Sequence, residues 1–219
     1  MQVDIWSDVV CPWCYIGKRR FETALQRVSE RRDTSSVHVV YRPYQLDPTA
    51  QAGRSQPVVE AYAKKFGGAE RASQIIDNVT SVAAGDGLEF HMEKALRANT
   101  LLAHRLLWFA ESHGDQIALK ERLLQAYFVD GLDVGDAEVL AACAAEVGFD
   151  ADEVRSFLAG NGGSGEVMEQ LATAAANGIT AVPTFVFEGQ WGVPGAQDVE
   201  MFERVLDRML DNEQQSADV

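Results

Sequence analysis

Residues 7–18 read Ser7-Asp-Val-Val-Cys-Pro-Trp-Cys-Tyr-Ile-Gly-Lys18, and at their centre Cys11 and Cys14 stand two residues apart. Upstream, residues 2–7 alternate apolar and polar side chains in a short strand pattern. Downstream, Tyr15 to Arg31 carries an apolar stripe of Ile16, Phe21, Ala24, Leu25 and Val28, with charged residues on the other faces. That spacing predicts an amphipathic helix. Pro12 suits its first turn, where a missing N–H costs nothing. The N-terminal sulfur of such a pair lies near the unsatisfied N–H groups and positive end of the helix dipole. That setting favours thiolate, the species that attacks disulfides. Cys14 sits one turn further in and is better shielded, so it can resolve a mixed disulfide. Cys11 is therefore expected to be the nucleophile and Cys14 the resolving thiol.

Working outward, Val37 to Tyr44 is β-branched and aromatic and predicts a second strand. Residues 48–174 carry helical periodicity over 57–66, 70–84, 95–113, 116–129, 136–147, 151–159 and 165–177, separated by Gly and Asp clusters. Asp136 is placed to cap the helix after it. Strand patterns return at 184–188 and 191–194, and 199–210 predicts a closing helix followed by a polar, frayed tail over 211–219. A parallel βαβ unit and a late hairpin can share one sheet. The expected fold is α/β, with residues 1–47 and 175–210 forming the sheet domain and residues 48–174 an all-helical insertion.

The chain has 219 residues, 47% of them hydrophobic and 24% charged, which is globular composition. Its net charge of −14 disfavours nucleic acid and anionic membrane surfaces as partners. No stretch is long and apolar enough to predict a membrane span. The first residues have no basic patch and include Asp4 and Asp8, unlike a signal peptide, so a cytoplasmic location is expected unless a leader was trimmed. Three cysteines do not make a disulfide scaffold; they point to one chemical pair and an ordinary third thiol, Cys143, in an Ala-rich helix. A zinc site would need two further ligands at suitable spacing, and the four histidines are scattered, so no metal is expected.

Val182-Pro183 directly precedes a strand. Local sequence leaves a cis bond and a trans proline at the first strand position equally open. The cysteine pair upstream, at the matching place in the topology, favours cis. Asn99 and His104 lie five apart in one expected helix. They either line a pocket over the thiols, or cap a helix and pack at the domain boundary; the second reading is slightly favoured. Lys18, Arg19 and Arg20 read as a solvated helix face, and Leu106, Trp108 and Phe109 as core.

The Cys-Pro-Trp-Cys motif after a first strand, with Ala181-Val-Pro-Thr-Phe-Val before a late one, resembles the thioredoxin superfamily. More closely, the chain resembles its DsbA-like branch with an inserted helical domain. Ser7 to Lys18, Gly87-Leu-Glu-Phe, Asn99-Thr100, Ala103-His-Arg-Leu and Val193-Pro-Gly-Ala-Gln resemble FrnE-type oxidoreductases within it. The resemblance implies thiol–disulfide exchange without a cofactor, on protein or small-molecule disulfides and thiols, glutathione among them. It implies attack by Cys11, resolution by Cys14, a cis Pro183, and contacts to substrate from Pro12, Trp13 and the Val182 backbone, as in strand addition. Asn99 and His104 are further candidates for substrate contact. The chain departs from the family in carrying Pro-Trp where DsbA itself usually has Pro-His, so strong oxidant behaviour is not implied. Related glutathione-dependent isomerases and kappa-class transferases share the fold but place Ser at the first cysteine. An isomerase or transferase acting on a small aromatic or polyketide-like molecule is therefore the alternative enzyme, and a chaperone-like module with an idle motif is the third reading.

Overall fold

The first strand, β1 (Gln2–Ser7), is central because its inward residues Val3 and Ile5 are wholly apolar and buried. The computed structural model describes the backbone of residues 1–217 and side chains to residue 213. Helix α1 (Pro12–Ser29) follows, with Cys11 as its N-cap residue, and leads to β2 (His38–Pro43), parallel to β1. Late in the chain, β5 (Thr184–Phe187) runs antiparallel to β1, and β6 (Trp191–Pro194) antiparallel to β5. The strand order is β2-β1-β5-β6. Helix α9 (Val199–Ala217) packs beside α1. The expected βαβ unit plus hairpin is thus one mixed sheet.

Between β2 and β5 lie β3 (Gln56–Pro57), α2 (Val58–Phe66), α3 (Ala69–Gly85), β4 (Leu96–Arg97), α4 (Leu101–His113) and α5 (Gln116–Gln125). A π-helical turn over Ala126–Asp130, α6 (Ala137–Glu146), α7 (Ala151–Ala159) and α8 (Ser164–Ala176) complete the block. Asp115, Asp136 and Asp150 cap the helices that follow them by accepting backbone N–H groups.

Several boundaries differ from expectation. Residues 95–100 are not helical: Leu96–Arg97 pairs with Gln56–Pro57 in a two-stranded ribbon, and α4 begins at Leu101. Two-residue strands are too short to leave a periodic trace. The helix expected to reach residue 129 gives way at Ala126 to the π turn, closed by left-handed Gly131. A Cβ there would fall 2.4 Å from that of Lys94. The closing helix runs to Ala217, so most of the expected tail is helical; the end of that tail, residues 218–219, lies outside the described residues.

Two apolar cores meet at α1. Phe21, Ala24 and Val28 face the sheet core with Phe185, Phe187 and Phe202. Tyr15 and Ile16 face the helical core with Phe90, Leu106 and Phe128. Each fully buried large apolar side chain contributes about 1.5–3 kcal/mol, so the helical core holds the N-terminal end of α1 and the sheet core its remaining length. Cys143, Leu106 and Phe109 are buried in the helical core and Trp108 is packed against it, as expected. Among the described residues no helix is long and apolar enough to cross a membrane.

Candidate active site

The Cys11–Cys14 pair sits where β1 hands over to α1, so both thiols lie at the end of a buried strand and the start of a helix. Both are buried and unbridged, 3% and 2% exposed. The Cys14 and Tyr15 N–H groups donate to the Cys11 carbonyl and begin the helix. Trp13 between the cysteines projects outward, 40% exposed, while Pro12 is buried.

The Val182–Pro183 bond is cis, as the motif pair favoured. The Cys11 thiol donates to the Val182 carbonyl at 3.7 Å. Pro183 packs on α1 at Gly17, where a Cβ would lie 2.9 Å from the proline Cγ; only glycine lets the loop approach this closely. The Pro183 carbonyl is taken by the Gly195 N–H at 2.7 Å, and the Thr184 hydroxyl bonds the Ala181 carbonyl at 2.8 Å. The loop is thereby fixed beside the thiols, with Ala181 exposed and Val182 half-buried.

The electrostatics differ from the sequence expectation. In the reduced pair the Cys11 thiol is pushed well above its ordinary value, by its hydrogen bond to Cys14, by burial, and by the Cys14 and Asp8 charges. Cys14 is lowered instead: burial works against its thiolate, but the Cys11 thiol, the Lys120 charge, the Asp8 backbone N–H and the Ser7 side chain outweigh it. The negative charge therefore settles on the inner sulfur. Position along the helix marks which sulfur is outermost; it does not report the buried lysine reaching in from α5. Chemically, a Cys14 thiolate is an acceptor for the Cys11 proton, and passing that proton inward generates the attacking thiolate.

Asn99 and His104 are not in one helix. Asn99 precedes α4, accepts the Leu101 N–H at 2.9 Å and donates to the Ala50 carbonyl at 2.7 Å. His104 is buried within α4, its Nε2 3.1 Å from an Asp8 carboxylate oxygen and 3.0 Å from the Tyr44 carbonyl. Asp8, three residues before Cys11, is wholly buried and also accepts the Val9 and Leu46 N–H groups. Thus Asn99 organises a helix start and His104 locks α4 to the loop beneath the thiols. Nor are Lys18, Arg19 and Arg20 a solvated face: Lys18 is buried against Glu22 and Glu121, Arg19 pairs with Glu121, and Arg20 with Asp86. Sequence reasoning missed Asp8 and Lys120 as parts of the site. Asp8, a polar residue in a short apolar run, carried a faint signal; Lys120 carried none.

A cleft of about 670 Å³ opens beside Val10, with Tyr62, Tyr127, Lys64, Lys65 and Arg97 among its lining. Tyr62 in its wall feels the Cys11 charge, which together with burial pushes the tyrosine hydroxyl up to about 12. A second cavity, about 820 Å³, lies over β5 and β6, and neither cavity has Cys11 or Cys14 in its lining.

With this geometry in view, comparison with known proteins identifies the family. A family model described as DSBA-like thioredoxin domain matches residues 2–207. The chain belongs to the DsbA-like thioredoxin family. It is similar to a probable DsbA oxidoreductase from Streptomyces coelicolor, at 38% identity and TM-score 0.88, over 96% of this chain and 90% of that one. It shares a fold with a 2-hydroxychromene-2-carboxylate isomerase, at 16% identity and TM-score 0.68, over 100% of this chain and 98% of that one. It also shares a fold with the cytosolic disulfide reductase DsbM from Pseudomonas aeruginosa, solved with GSH, at 15% identity and TM-score 0.65, over 96% and 100% of the two chains.

Proposed function

We propose that this DsbA-like protein is a thiol–disulfide oxidoreductase of the FrnE type that works through the Cys11/Cys14 pair. The supporting observation is the outer thiol, Cys11, held against the Val182 carbonyl next to cis Pro183, with Cys14 deeper in the same turn. Substrate docks between Trp13 and the Val182–Pro183 loop, and the exposed Ala181 edge leaves room for an extended segment to pair by its backbone. The Cys11 thiolate attacks a substrate disulfide, releasing one substrate thiolate and forming a mixed disulfide. Cys14 then attacks the Cys11 sulfur, releases the second thiolate and closes the protein disulfide. The reverse sequence oxidises a substrate dithiol.

Glutathione is a second partner in this reading. The cleft beside Val10 carries Lys64, Lys65 and Arg97 in a chain of net charge −14, with Arg97 paired to Asp47. A small anionic thiol suits that lining. In a reducing compartment glutathione would reset the dithiol. The isomerase or transferase alternative requires glutathione but not Cys14.

Thiol trapping of the pair in glutathione redox buffers, together with insulin disulfide reduction, tests the proposal. A defined potential with insulin turnover is expected. A pair that never forms a disulfide, in a protein that binds glutathione tightly and stays active as Cys14→Ser, would replace it with the isomerase or transferase reading.

A further inference from the structure

Four buried side-chain nitrogen or oxygen atoms among the described residues have no hydrogen-bond partner: Ser7 Oγ, Arg19 Nε, Gln45 Nε2 and Lys120 Nζ. Two of them, on elements far apart in sequence, act on the same sulfur, that of Cys14. Lys120 is the more telling. It lies on α5 in the helical block and is 0% exposed. Its ammonium sits 5.4 Å from the centre of the Tyr41 ring on β2 and donates to nothing. An unpaired ammonium in such a place is strongly unfavourable unless a charge compensates it.

The surroundings narrow the compensating group. The buried Asp8 carboxylate attracts Lys120, but it takes its hydrogen bonds from Val9, Leu46 and His104 and none from the ammonium, and Cys14 attracts Lys120 more strongly than Asp8 does. Lys18 on α1 opposes Lys120 and is itself held by Glu22 and Glu121. Tyr41 from β2 offers a ring face. Tyr127 from the π turn holds its proton well above the ordinary range, through burial and the Tyr62, Asp8 and Cys11 charges. From α4 the nearby titratable group is His104, spent on Asp8. The buried face of α6 adds only Cys143, whose charged neighbours are Arg122, Glu146 and Asp130. Beside Asp8, the negative charge facing Lys120 is that of the thiol pair, Cys14 foremost.

Resting on the redox reading above, we infer that Lys120 is the counter-cation of the Cys14 sulfur, supplied by the helical block to hold the charge that appears there when the disulfide opens. Attack by a substrate thiolate on Cys11 forms the mixed disulfide and breaks the Cys11–Cys14 bond, and its electron pair leaves on Cys14. Lys120 keeps its proton and stabilises that thiolate through charge, with the Ser7 hydroxyl beside it. A second substrate thiolate then attacks the substrate sulfur of the mixed disulfide and leaves both protein cysteines reduced. Consistent with this arrangement, Lys120 is lowered to about 8, because burial outweighs the upward pull of Cys14, Asp8 and Cys11. Lys120 is a positioning residue: it acts through Cys14.

Lys120→Met replaces a buried charge by a thioether of similar length, and Cys14 can take up a proton, so no bare charge need be left behind. In the folded variant the thiolate absorbance of the reduced pair should titrate at least one pH unit higher than in wild type. The equilibrium with glutathione should shift about tenfold toward the protein disulfide, ~30 mV more reducing. Wild-type values for both overturn the inference. Should the variant not fold, NMR of the Lys120 ammonium in the unaltered protein decides. Its titration should move up when the disulfide is reduced, and an unchanged titration overturns the inference. A wild-type pair that neither forms a disulfide nor turns over insulin would instead sink the redox reading itself.

Discussion

The Cys11 sulfur lies 3.7 Å from the Val182 carbonyl oxygen, although the two residues are 171 positions apart in sequence. That carbonyl belongs to the loop whose backbone is the proposed partner of a bound substrate, so the thiol and the docking edge are one unit. A substrate strand that pairs there brings its sulfur to Cys11, the outer member of the pair.

The division of labour between the cysteines follows from this placement. Cys14→Ser keeps the sulfur at the docking loop and removes the inner one, so mixed disulfides should accumulate at Cys11 and be visible on non-reducing gels. Cys11→Ser should abolish insulin turnover. Full turnover in Cys11→Ser would contradict the assignment.

Gly17→Ala tests the seat of Pro183. The added methyl meets the proline Cγ at 2.9 Å and Ala196 at 3.4 Å. Crowding costs about 1–3 kcal/mol, offset by about 1 kcal/mol of helix propensity, so urea midpoints should move little. Turnover should fall at least about tenfold, because sub-ångström displacement of a docking loop weighs on the reaction more than on the fold. Equal losses in both measurements would assign Gly17 to packing alone.

Arg105 secures the helical block. It is 5% exposed, and its guanidinium donates to the carbonyls of Phe157, Leu158, Gly160 and Gly162, the turn between α7 and α8. Arg105→Met strands those acceptors. A loss of about 3 kcal/mol is expected, lowering Tm by roughly 6–12 °C. Calorimetry checks it, and redox potential should stay unchanged because none of these groups touches the thiols.

Acid should loosen the joint between α1 and α5. Burial opposes the Glu121 charge, but Lys18, Tyr15 and Arg19 outweigh it and hold its carboxyl below the usual carboxylate range. A carboxyl depressed on folding stabilises the native state fully above its unfolded value, about 4.3, and loses that contribution as pH falls through the folded value. Stability measured between pH 5 and 3 should therefore drop more steeply in wild type than in Glu121→Gln. Parallel curves would remove Glu121 from the acid response.

Much of the fold was legible because its signals are local. The Cys-Pro-Trp-Cys motif, the β-branched strands and the Asp cap at 136 each leave a pattern within a few residues. The cis Pro183 was legible only by combining two distant motifs. What escaped depends on contacts that no period records. Residues 95–100 looked helical because Ala, Leu and Arg favour helices, yet Leu96–Arg97 found a partner in Gln56–Pro57. Lys18 looked solvated because lysines usually are, but a partner on α5, Glu121, allowed it to be buried. Lys120 sits in a helix whose pattern gives no reason to single it out, and only the packing of α5 against β2 turns it toward the thiols.

The insertion also has a consequence for biosynthesis. About 140 residues separate the end of β2 from the start of β5, which pairs with the first strand made. At ribosomal speeds of ~5–20 residues per second, the nascent N-terminus waits roughly 7–28 s before its sheet can close. During that interval both cysteines of the motif have been synthesised, but the Val182–Pro183 loop has not. On the proposed function, a newborn chain therefore carries its thiol pair without the edge that would select substrates, and it is open to stray oxidation or capping before its own synthesis ends.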